Sequence, residues 1–276
     1  MSVFISSLNS GSNGNCYYIG TENEAVLIDA GISCRETERR MKRLGLEMQK
    51  VKAVFISHEH TDHISGLPVL SKKYQLPVFI TDSTQKTGGV RLDNKLVHRF
   101  EAGKPVQIGA LSVLPFQKFH DAGDPHSFVI SSSSVNIGVF TDIGVACKEV
   151  VHYFKQCHAA FLEANYDRDM LMNGNYPLRL KKRISGGEGH LSNLQALELF
   201  LNYRPAHMSH LILSHLSEKN NEPNMVHDLF QKHSGATAII VASRYKETDV
   251  YHIQGEGRAK LLIRKKPAKP QQLKLF

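Results

Sequence analysis

A chain of 276 residues with 41% hydrophobic and 22% charged residues can bury one large core or two small ones. No apolar run approaches the roughly 20 residues that a membrane helix needs, and the N-terminus lacks a secretory layout, so we expect a cytoplasmic protein without membrane contacts. Seven of the eight net positive charges fall in residues 257–276, so the rest of the chain, at +1, is nearly neutral.

The pattern of apolar runs, turns and helical stretches predicts an α/β fold. Strands are predicted at 3–8, 15–20, 25–31, 53–58, 77–81, 110–116, 127–133, 135–142, 159–165, 208–215, 236–243 and 249–253. Helices are predicted at 35–45, 63–75, 148–157, 192–203 and 223–234. The simplest organisation is one two-layer domain over residues 1–255, followed by a basic, disordered tail over residues 256–276.

The densest chemical signal is HEHTDH, which directly follows the apolar run AVFIS. In a turn at the end of a strand, His58, His60, Asp62 and His63 can converge on a small volume. Imidazole and carboxylate together suit divalent transition metals such as zinc or manganese. Burying these groups together without a metal would leave many polar atoms unpaired. The sequence therefore predicts a metal site here.

This HxHxDH motif after a strand resembles the metallo-β-lactamase superfamily, which implies an αββα sandwich with its site at one edge of the paired sheets. The resemblance makes Asp29 of LIDAG a support for the metal-binding loop and leaves two candidates, His120 and His126, for one ligand, of which we choose His120. The implied ligands of one metal are His58, His60 and His120; those of the other are Asp62, His63 and His215, with Asp142 shared.

Such a ligand set implies a hydrolase. Two ions roughly 3.5–4 Å apart can deprotonate a bridging water and stabilise charge on the attacked and leaving oxygens. Asp62 is then expected to help hold and deprotonate that water. Glyoxalase-type thioesterases carry a similar set, so the ligands alone do not name the substrate.

The segment GGEGHLSNLQALELF adds a candidate acid. Ser192 and Gln195 form an S-x-x-Q capping box, which places His190 at the start of a helix, where free N–H groups favour phosphate. In the phosphodiesterase branch, which includes tRNase Z, a histidine in a comparable segment protonates the leaving group. His190 is our candidate for that role, oriented by Glu163; the alternative is an ordinary histidine before a capped surface helix.

A basic cluster, RLKKR, lies shortly before that helix. A solvated run is the ordinary interpretation of such a cluster, but its neighbours favour contact with the phosphates of a polymer. The residues predicted to bind phosphate or DNA are Arg179, Lys181, Lys182, Arg183, Ser192 and Asn193.

Longer motifs narrow the family. SLNSGSNGNCYYI, HEHTDHISGL, FHDAGDP, FTDIG, LEANYD, YPLRLKKRI, GHLSN and SHLSEKNN follow in the order seen in YycJ/WalJ-type proteins, over about residues 1–245. This resemblance implies a DNA exonuclease linked to repair. A small-molecule hydrolase of the glyoxalase or lactonase type and an RNA-processing nuclease remain alternatives. The asparagine-rich turn at 13–15 suggests no chemistry beyond shaping the rim of the site.

The chain ends in KKPAKPQQLKLF. A cationic end of this kind adds non-specific affinity for phosphates, but that leaves its last apolar side chains unexplained. Gln272, Leu273, Leu275 and Phe276 resemble the Gln-Leu-x-Leu-Phe peptide that docks bacterial replication and repair proteins onto the sliding clamp. The resemblance implies the clamp as a partner, with the Pro/Lys segment supplying reach.

Overall fold

The strand-rich first half of the chain builds one seven-stranded sheet, closed at its edge by the last strand. The computed structural model describes residues 2–255. In spatial order the first sheet contains β14 (Tyr251–Ile253), β1 (Val3–Asn9), β2 (Cys16–Gly20), β3 (Ala25–Ile28), β4 (Val51–Phe55), β5 (Val78–Phe79) and β6 (Val97–His98). The strands from β3 to β6 are parallel.

The second half of the chain builds a matching seven-stranded sheet. Its spatial order is β13 (Ala238–Val241), β12 (His210–Ser214), β11 (Ala159–Glu163), β10 (Val135–Phe140), β9 (His126–Ser132), β8 (Leu111–Gln117) and β7 (Val106–Ile108). The strands from β10 to β13 are parallel, as the alternation of strand and helix there predicts.

Helices lie on the outer faces of the two sheets and in the connections between the strands. They are α1 (Cys34–Arg43), α2 (Thr61–Ile64), α3 (Leu67–Tyr74), α4 (Asp82–Thr87), α5 (Lys148–Phe154), α6 (Arg168–Asn173), α7 (Leu178–Ser185), α8 (Asn193–Tyr203) and α9 (Pro223–Gln231). The inner faces of the two sheets share one apolar core, in which Phe55 meets Phe128 and Tyr17 meets Phe161. The predicted αββα sandwich is confirmed.

Two local predictions need refinement. The helix predicted over 63–75 is two helices, because the amide of Gly66 donates to the Ala30 carbonyl instead of continuing the helix. The close approach needs glycine, since a side chain there would come within 1.8 Å of the carbonyl oxygen of Ile32. The basic cluster RLKKR lies on α7, whose residues are not buried.

No helix within residues 2–255 is both long and apolar enough to cross a membrane. The predicted tail and its clamp-binding residues Gln272, Leu273, Leu275 and Phe276 lie outside the described residues.

Candidate metal centre

The predicted site residues gather where parallel strands end. Asp29 follows β3, Asp142 follows β10 and His215 follows β12, whereas Glu163 is the last residue of β11. His58 lies three residues beyond β4. Side chains at the carboxyl ends of parallel strands meet at one edge of a sheet, which is where ligands bind in open α/β sheets. Packing two such edges together brings both halves of the chain to one site.

Three of these strand-end residues have a left-handed backbone conformation. The φ angles are 62° at Asp29, 54° at Asp142 and 57° at His215. Non-glycine residues adopt this region rarely and at a cost, and such residues concentrate at functional sites. The chain therefore turns sharply at the end of β3, β10 and β12 to direct these side chains.

The first donor cluster consists of three histidines. Nδ1 of His60 lies 3.1 Å from Nε2 of His58 and 3.2 Å from Nε2 of His120. The outer nitrogens have carbonyl or hydroxyl partners: Nδ1 of His120 donates to the Gly189 carbonyl at 3.0 Å, and Nδ1 of His58 donates to Oγ of Ser57 at 2.9 Å. These bonds leave the clustered nitrogens with free lone pairs, which is the form that binds a metal.

Burial keeps two of these rings neutral. Desolvation, with the charge of the nearby His63 ring, holds the pKa of His58 well below its usual value. Desolvation likewise lowers the pKa of His120 to about 4, although Asp142 opposes it. Neutral imidazole is the metal-binding form at neutral pH.

The second donor cluster contains Asp62, His63 and His215. Oδ2 of Asp62 lies 3.4 Å from Nε2 of both histidines. Asp142 adjoins both clusters, because Oδ2 is 3.3 Å from Nε2 of His63 and Oδ1 is 3.8 Å from Nε2 of His120. Asp142 therefore lies between the two donor clusters, where a carboxylate shared by two metals would have to lie.

Asp29, the predicted support of the metal-binding loop, lies beneath the second cluster and is bonded to the segment that carries the histidines. Its carboxylate accepts from the amide of Ser57 at 2.8 Å, from Oγ of Ser57 at 2.8 Å and from Nδ1 of His63 at 2.7 Å. The last bond fixes the tautomer of His63, so that Nε2 faces the other donors.

The donor set fits divalent metal ions. Oδ2 of Asp142 is buried and has no hydrogen-bond partner within residues 2–255. Burial would raise the pKa of this carboxyl, but His215 and His63 outweigh it and hold the pKa well below the usual range. A buried, ionised oxygen without a hydrogen bond is costly unless a cation meets it. Asp142 belongs to two groups of donors whose atoms lie within 4.8 Å of one another, one with His58 and His63 and one with Glu163, His190 and His215.

The pair predicted to supply a proton lies beside both clusters. Nδ1 of His190 is 2.8 Å from Oε1 of Glu163, and Nδ1 of His215 is 2.9 Å from the same oxygen. Glu163 is fully buried, which would raise its pKa, but the charge of His190 and the hydrogen bonds from both rings lower the pKa to about 2. Glu163 is therefore ionised and can only accept, so each Nδ1 carries the proton.

Helix α7 reaches the three-histidine cluster through one aspartate. Nε of Arg183 donates to Asp121, whose backbone carbonyl accepts from Nε2 of His60 at 3.2 Å. Lys181 donates to the Met172 carbonyl at 2.6 Å. Of the predicted phosphate-binding cations, Arg179 and Lys182 are exposed, and neither has an ion-pair partner in the described part of the chain.

The side chains of Ser192 and Asn193, predicted to bind phosphate, are committed to the fold instead. The predicted capping box is present: Oγ of Ser192 accepts from the amide of Gln195, and the Gln195 side chain accepts from the amide of Ser192. Nδ2 of Asn193 donates to Asn221 at 2.9 Å. Both residues are buried, and their polar groups stabilise the start of α8.

His126, the second candidate for the third histidine of the first site, lies apart from the donor clusters. Its ring packs edge-on against Phe100 at 5.0 Å, and its Nδ1 donates to the Asp124 carbonyl at 2.9 Å. The donor clusters within residues 2–255 contain His120 and not His126.

Comparison with known proteins gives the family. Residues 24–216 match the model of the β-lactamase superfamily domain. Exodeoxyribonuclease YycJ of Bacillus anthracis is 34% identical over 226 residues, which are 80% of this chain and 85% of that protein. Exodeoxyribonuclease WalJ of Streptococcus pneumoniae is 31% identical, with 80% and 84% of the two chains covered. The chain belongs to the metallo-β-lactamase superfamily, and within it to the YycJ/WalJ type.

A solved structure agrees with this assignment at the level of the fold. The metallo-β-lactamase fold protein YhfI of Bacillus subtilis superimposes with a TM-score of 0.69 over 91% of this chain and all of that chain, at 16% identity. At that identity the likeness concerns the fold alone.

Sequence reasoning missed three polar residues of this superfamily site. Asn15 donates from Nδ2 to Oδ2 of Asp62 at 3.0 Å. Lys118 is buried and donates to the Thr141 carbonyl at 2.7 Å, one residue before Asp142. Asp121, as described above, connects α7 to the histidines. The motifs SGSNGN and FHDAGDP contain Asn15 and Asp121, but nothing local indicates their distant partners.

Proposed function

We propose that this chain is a metal-dependent nuclease that removes nucleotides from an end of DNA, in replication-linked repair. The observation that carries the proposal is the convergence of two donor clusters around Asp142, with the His190–Glu163 pair against them. The curated names of the YycJ and WalJ relatives support DNA as the substrate. We propose the cytoplasm as its place of action.

Two ions, zinc or manganese, would be held at this centre. His58, His60 and His120 would hold one, and Asp62, His63 and His215 the other, with Asp142 between them. Bound divalent ions would supply a water nucleophile at neutral pH and stabilise developing charge on phosphate oxygens. Asp62 is the proposed acceptor of the water's proton. Its Oδ2 is one of the donor atoms of the second cluster and accepts a hydrogen bond from Nδ2 of Asn15.

His190 would protonate the leaving oxygen. Because ionised Glu163 accepts from Nδ1, a proton on Nε2 is the one available for transfer. The carboxylate also stabilises the charged ring before transfer and fixes its direction. His190 is only half-buried, so a polymer can reach it, whereas Glu163 is enclosed.

The exposed face of α7 would bind the DNA backbone. Arg179 and Lys182 are available for phosphates, and Arg183 is more than half exposed although its Nε contacts Asp121. Contacts of this kind hold a strand without reading its sequence. The start of α8 would contribute little to this contact, because the amide of Ser192 donates to the Gln195 side chain and that of Asn193 to the Tyr166 carbonyl.

One experiment tests this function. Purified protein is loaded with Mn²⁺ or Zn²⁺ and incubated with end-labelled single- and double-stranded DNA, the matching RNA and a thioester, beside Asp62→Ala and a chelator control. We expect stepwise shortening of DNA that both controls abolish. Thioester turnover without DNA cleavage would contradict the proposal in favour of a small-molecule hydrolase, and RNA cleavage alone would favour an RNA-processing enzyme.

We also propose that residues 256–276 form a separate tail that carries the catalytic domain, residues 1–255, to the replication machinery. The support is the sequence QLKLF at 272–276, with the basic, proline-containing segment before it. Such an attachment would raise the local concentration of the nuclease near a clamp on DNA.

A further inference from the structure

Phe119 is a large aromatic side chain that the fold leaves open to solvent. It is 52% exposed, although both of its neighbours are buried. Lys118 points inward to the Thr141 carbonyl, and His120 points inward to the Gly189 carbonyl. Because side chains alternate in an extended segment, these two inward anchors direct the ring of Phe119 outward.

The main chain around Phe119 is fixed at the rim of the metal centre. Its carbonyl accepts from the amide of Gly144 at 2.7 Å, two residues after Asp142. Gly144 packs so tightly on the loop before His190 that a side chain there would approach the carbonyl oxygen of Gly187 to 2.1 Å. Three site-forming loops thus meet at this point. These contacts involve the main chain and not the ring, so the segment is held in place while the ring stays exposed to solvent.

The surroundings of Phe119 combine apolar surface with positive charge. Val145, next to Gly144, is also exposed, at 41%. Arg183 binds Asp121, two residues beyond Phe119, and leaves more than half of its side chain in solvent. A π-face beside a cation suits a nucleotide, since the base can stack while its phosphate meets the arginine. An apolar protein partner would have to desolvate that arginine.

We propose that Phe119 is the stacking platform for the base of the nucleotide whose phosphodiester is cleaved. The inference rests on the proposed nuclease function and adds a requirement to it: the terminal nucleotide must carry a base, of any identity. Stacking tolerates every base because each has a π-face. A base is joined to its phosphate through one sugar, so a platform whose main chain lies next to the ligand candidate His120 would serve the nucleotide at the reacting phosphate.

The test is a cycle of two changes, Phe119→Ala in the enzyme and removal of the terminal base from the DNA. With the metal-loaded enzyme, either change alone should lower kcat/KM by about 5-fold to 100-fold, mainly through KM. The two changes together should lower kcat/KM little more than either change alone. Phe119→Tyr should restore the base-dependent rate, and Leu201→Ala, which removes a half-exposed apolar side chain on α8, should behave as the wild type.

A binding measurement on the metal-free protein, where no cleavage occurs, gives an independent readout. Fluorescent 2-aminopurine at the attacked end should be brighter when bound to Phe119→Ala than to the wild type, whereas an internal 2-aminopurine should not distinguish them. Equal rates for the wild type and Phe119→Ala on base-containing DNA would overturn the inference and leave the proposed function intact. An equal loss of rate in Phe119→Ala on DNA with and without the terminal base would do the same. No DNA cleavage by the wild type would overturn the proposed function instead.

Discussion

Asn15 donates a 3.0 Å hydrogen bond from Nδ2 to Oδ2 of Asp62. The orientation of the amide is fixed from its other end, because Oδ1 accepts from the amide of Gly11 at 3.0 Å and from the hydroxyl of Tyr17 at 3.1 Å. The main chains are joined too, since the amide of Asn15 donates to the Asp62 carbonyl at 2.7 Å. A turn near the N-terminus therefore holds the carboxylate in place.

Asn15→Ala should weaken the second donor cluster. Loss of the amide leaves Asp62 free to rotate, and loss of an outer partner of this kind costs about 10-fold to 100-fold in metal affinity or activity. Zn²⁺ affinity, measured by competition with a chelator, should fall by that factor. Asn13→Ala is the matched control, because Asn13 lies on the same turn and contacts only its rim, at the Arg244 carbonyl and at Asn9. Equal affinities for the two variants would contradict the role of Asn15.

His190→Ala should reveal the need for a proton. Cleavage of DNA, whose leaving alkoxide must be protonated, should fall by about 100-fold to 10,000-fold. A diester with a p-nitrophenol leaving group needs no proton, so its hydrolysis should fall much less. Glu163→Gln should show the same contrast, because it removes the charge that stabilises the protonated ring. An equal loss on both substrates would show that His190 serves binding or folding instead.

The exposed cations of α7 should determine how DNA affinity depends on salt. Replacing Arg179 and Lys182 with alanine removes two phosphate contacts, so the slope of log K against log salt should decrease by about 1.5–2. Fluorescence anisotropy on the metal-free protein measures this without cleavage. Lys232→Ala, an exposed cation after α9, is the control. An unchanged slope in the double variant would remove α7 from the DNA-binding surface.

Local motifs made much of this site predictable. HEHTDH contributes four donors within six residues, and a turn after a strand is enough to bring them together. Asp142 and His215 could be found through the resemblance to the superfamily, which implies a ligand after each of these apolar strands. The capping box of Ser192 was also predictable, because Ser192 and Gln195 are only three residues apart.

Contacts across the sandwich were not predictable. The bond from Asn15 to Asp62 spans 47 residues, and that from Arg183 to Asp121 spans 62. Each depends on how strands pair and how loops meet, which no local pattern encodes. The same limit applies to Asn193, because nothing near the helix cap indicates the bond of its side chain to Asn221, 28 residues away.

Deleting residues 271–276 should abolish binding to a bacterial sliding clamp and leave metal-dependent cleavage of short DNA intact. The apolar residues of the deleted peptide would enter the clamp, whereas the donor clusters lie within residues 58–215. Surface plasmon resonance on immobilised clamp measures the first effect. Replacing Lys265, Lys266 and Lys269 with alanine is the control, since it removes charge and keeps the peptide. Clamp affinity that survives the deletion would contradict the proposal.

His158, just before β11 and at the opposite end of that strand from Glu163, should make stability depend on pH. Burial, with the neighbouring His207, lowers its pKa from 6.5 to about 4, and Nδ1 accepts from the amide of Asn136 at 3.2 Å, which requires an unprotonated nitrogen. The folded state therefore binds this proton more weakly than the unfolded state. The stabilisation is complete above about pH 6.5 and is lost as the pH falls towards 4, by about 1–3 kcal/mol. Urea unfolding of the metal-free protein between pH 7 and 4 should show a smaller acid loss in His158→Gln than in the wild type or in the exposed control His233→Gln. A difference between His158→Gln and wild type that stays constant over this range would mean that His158 does not titrate on unfolding.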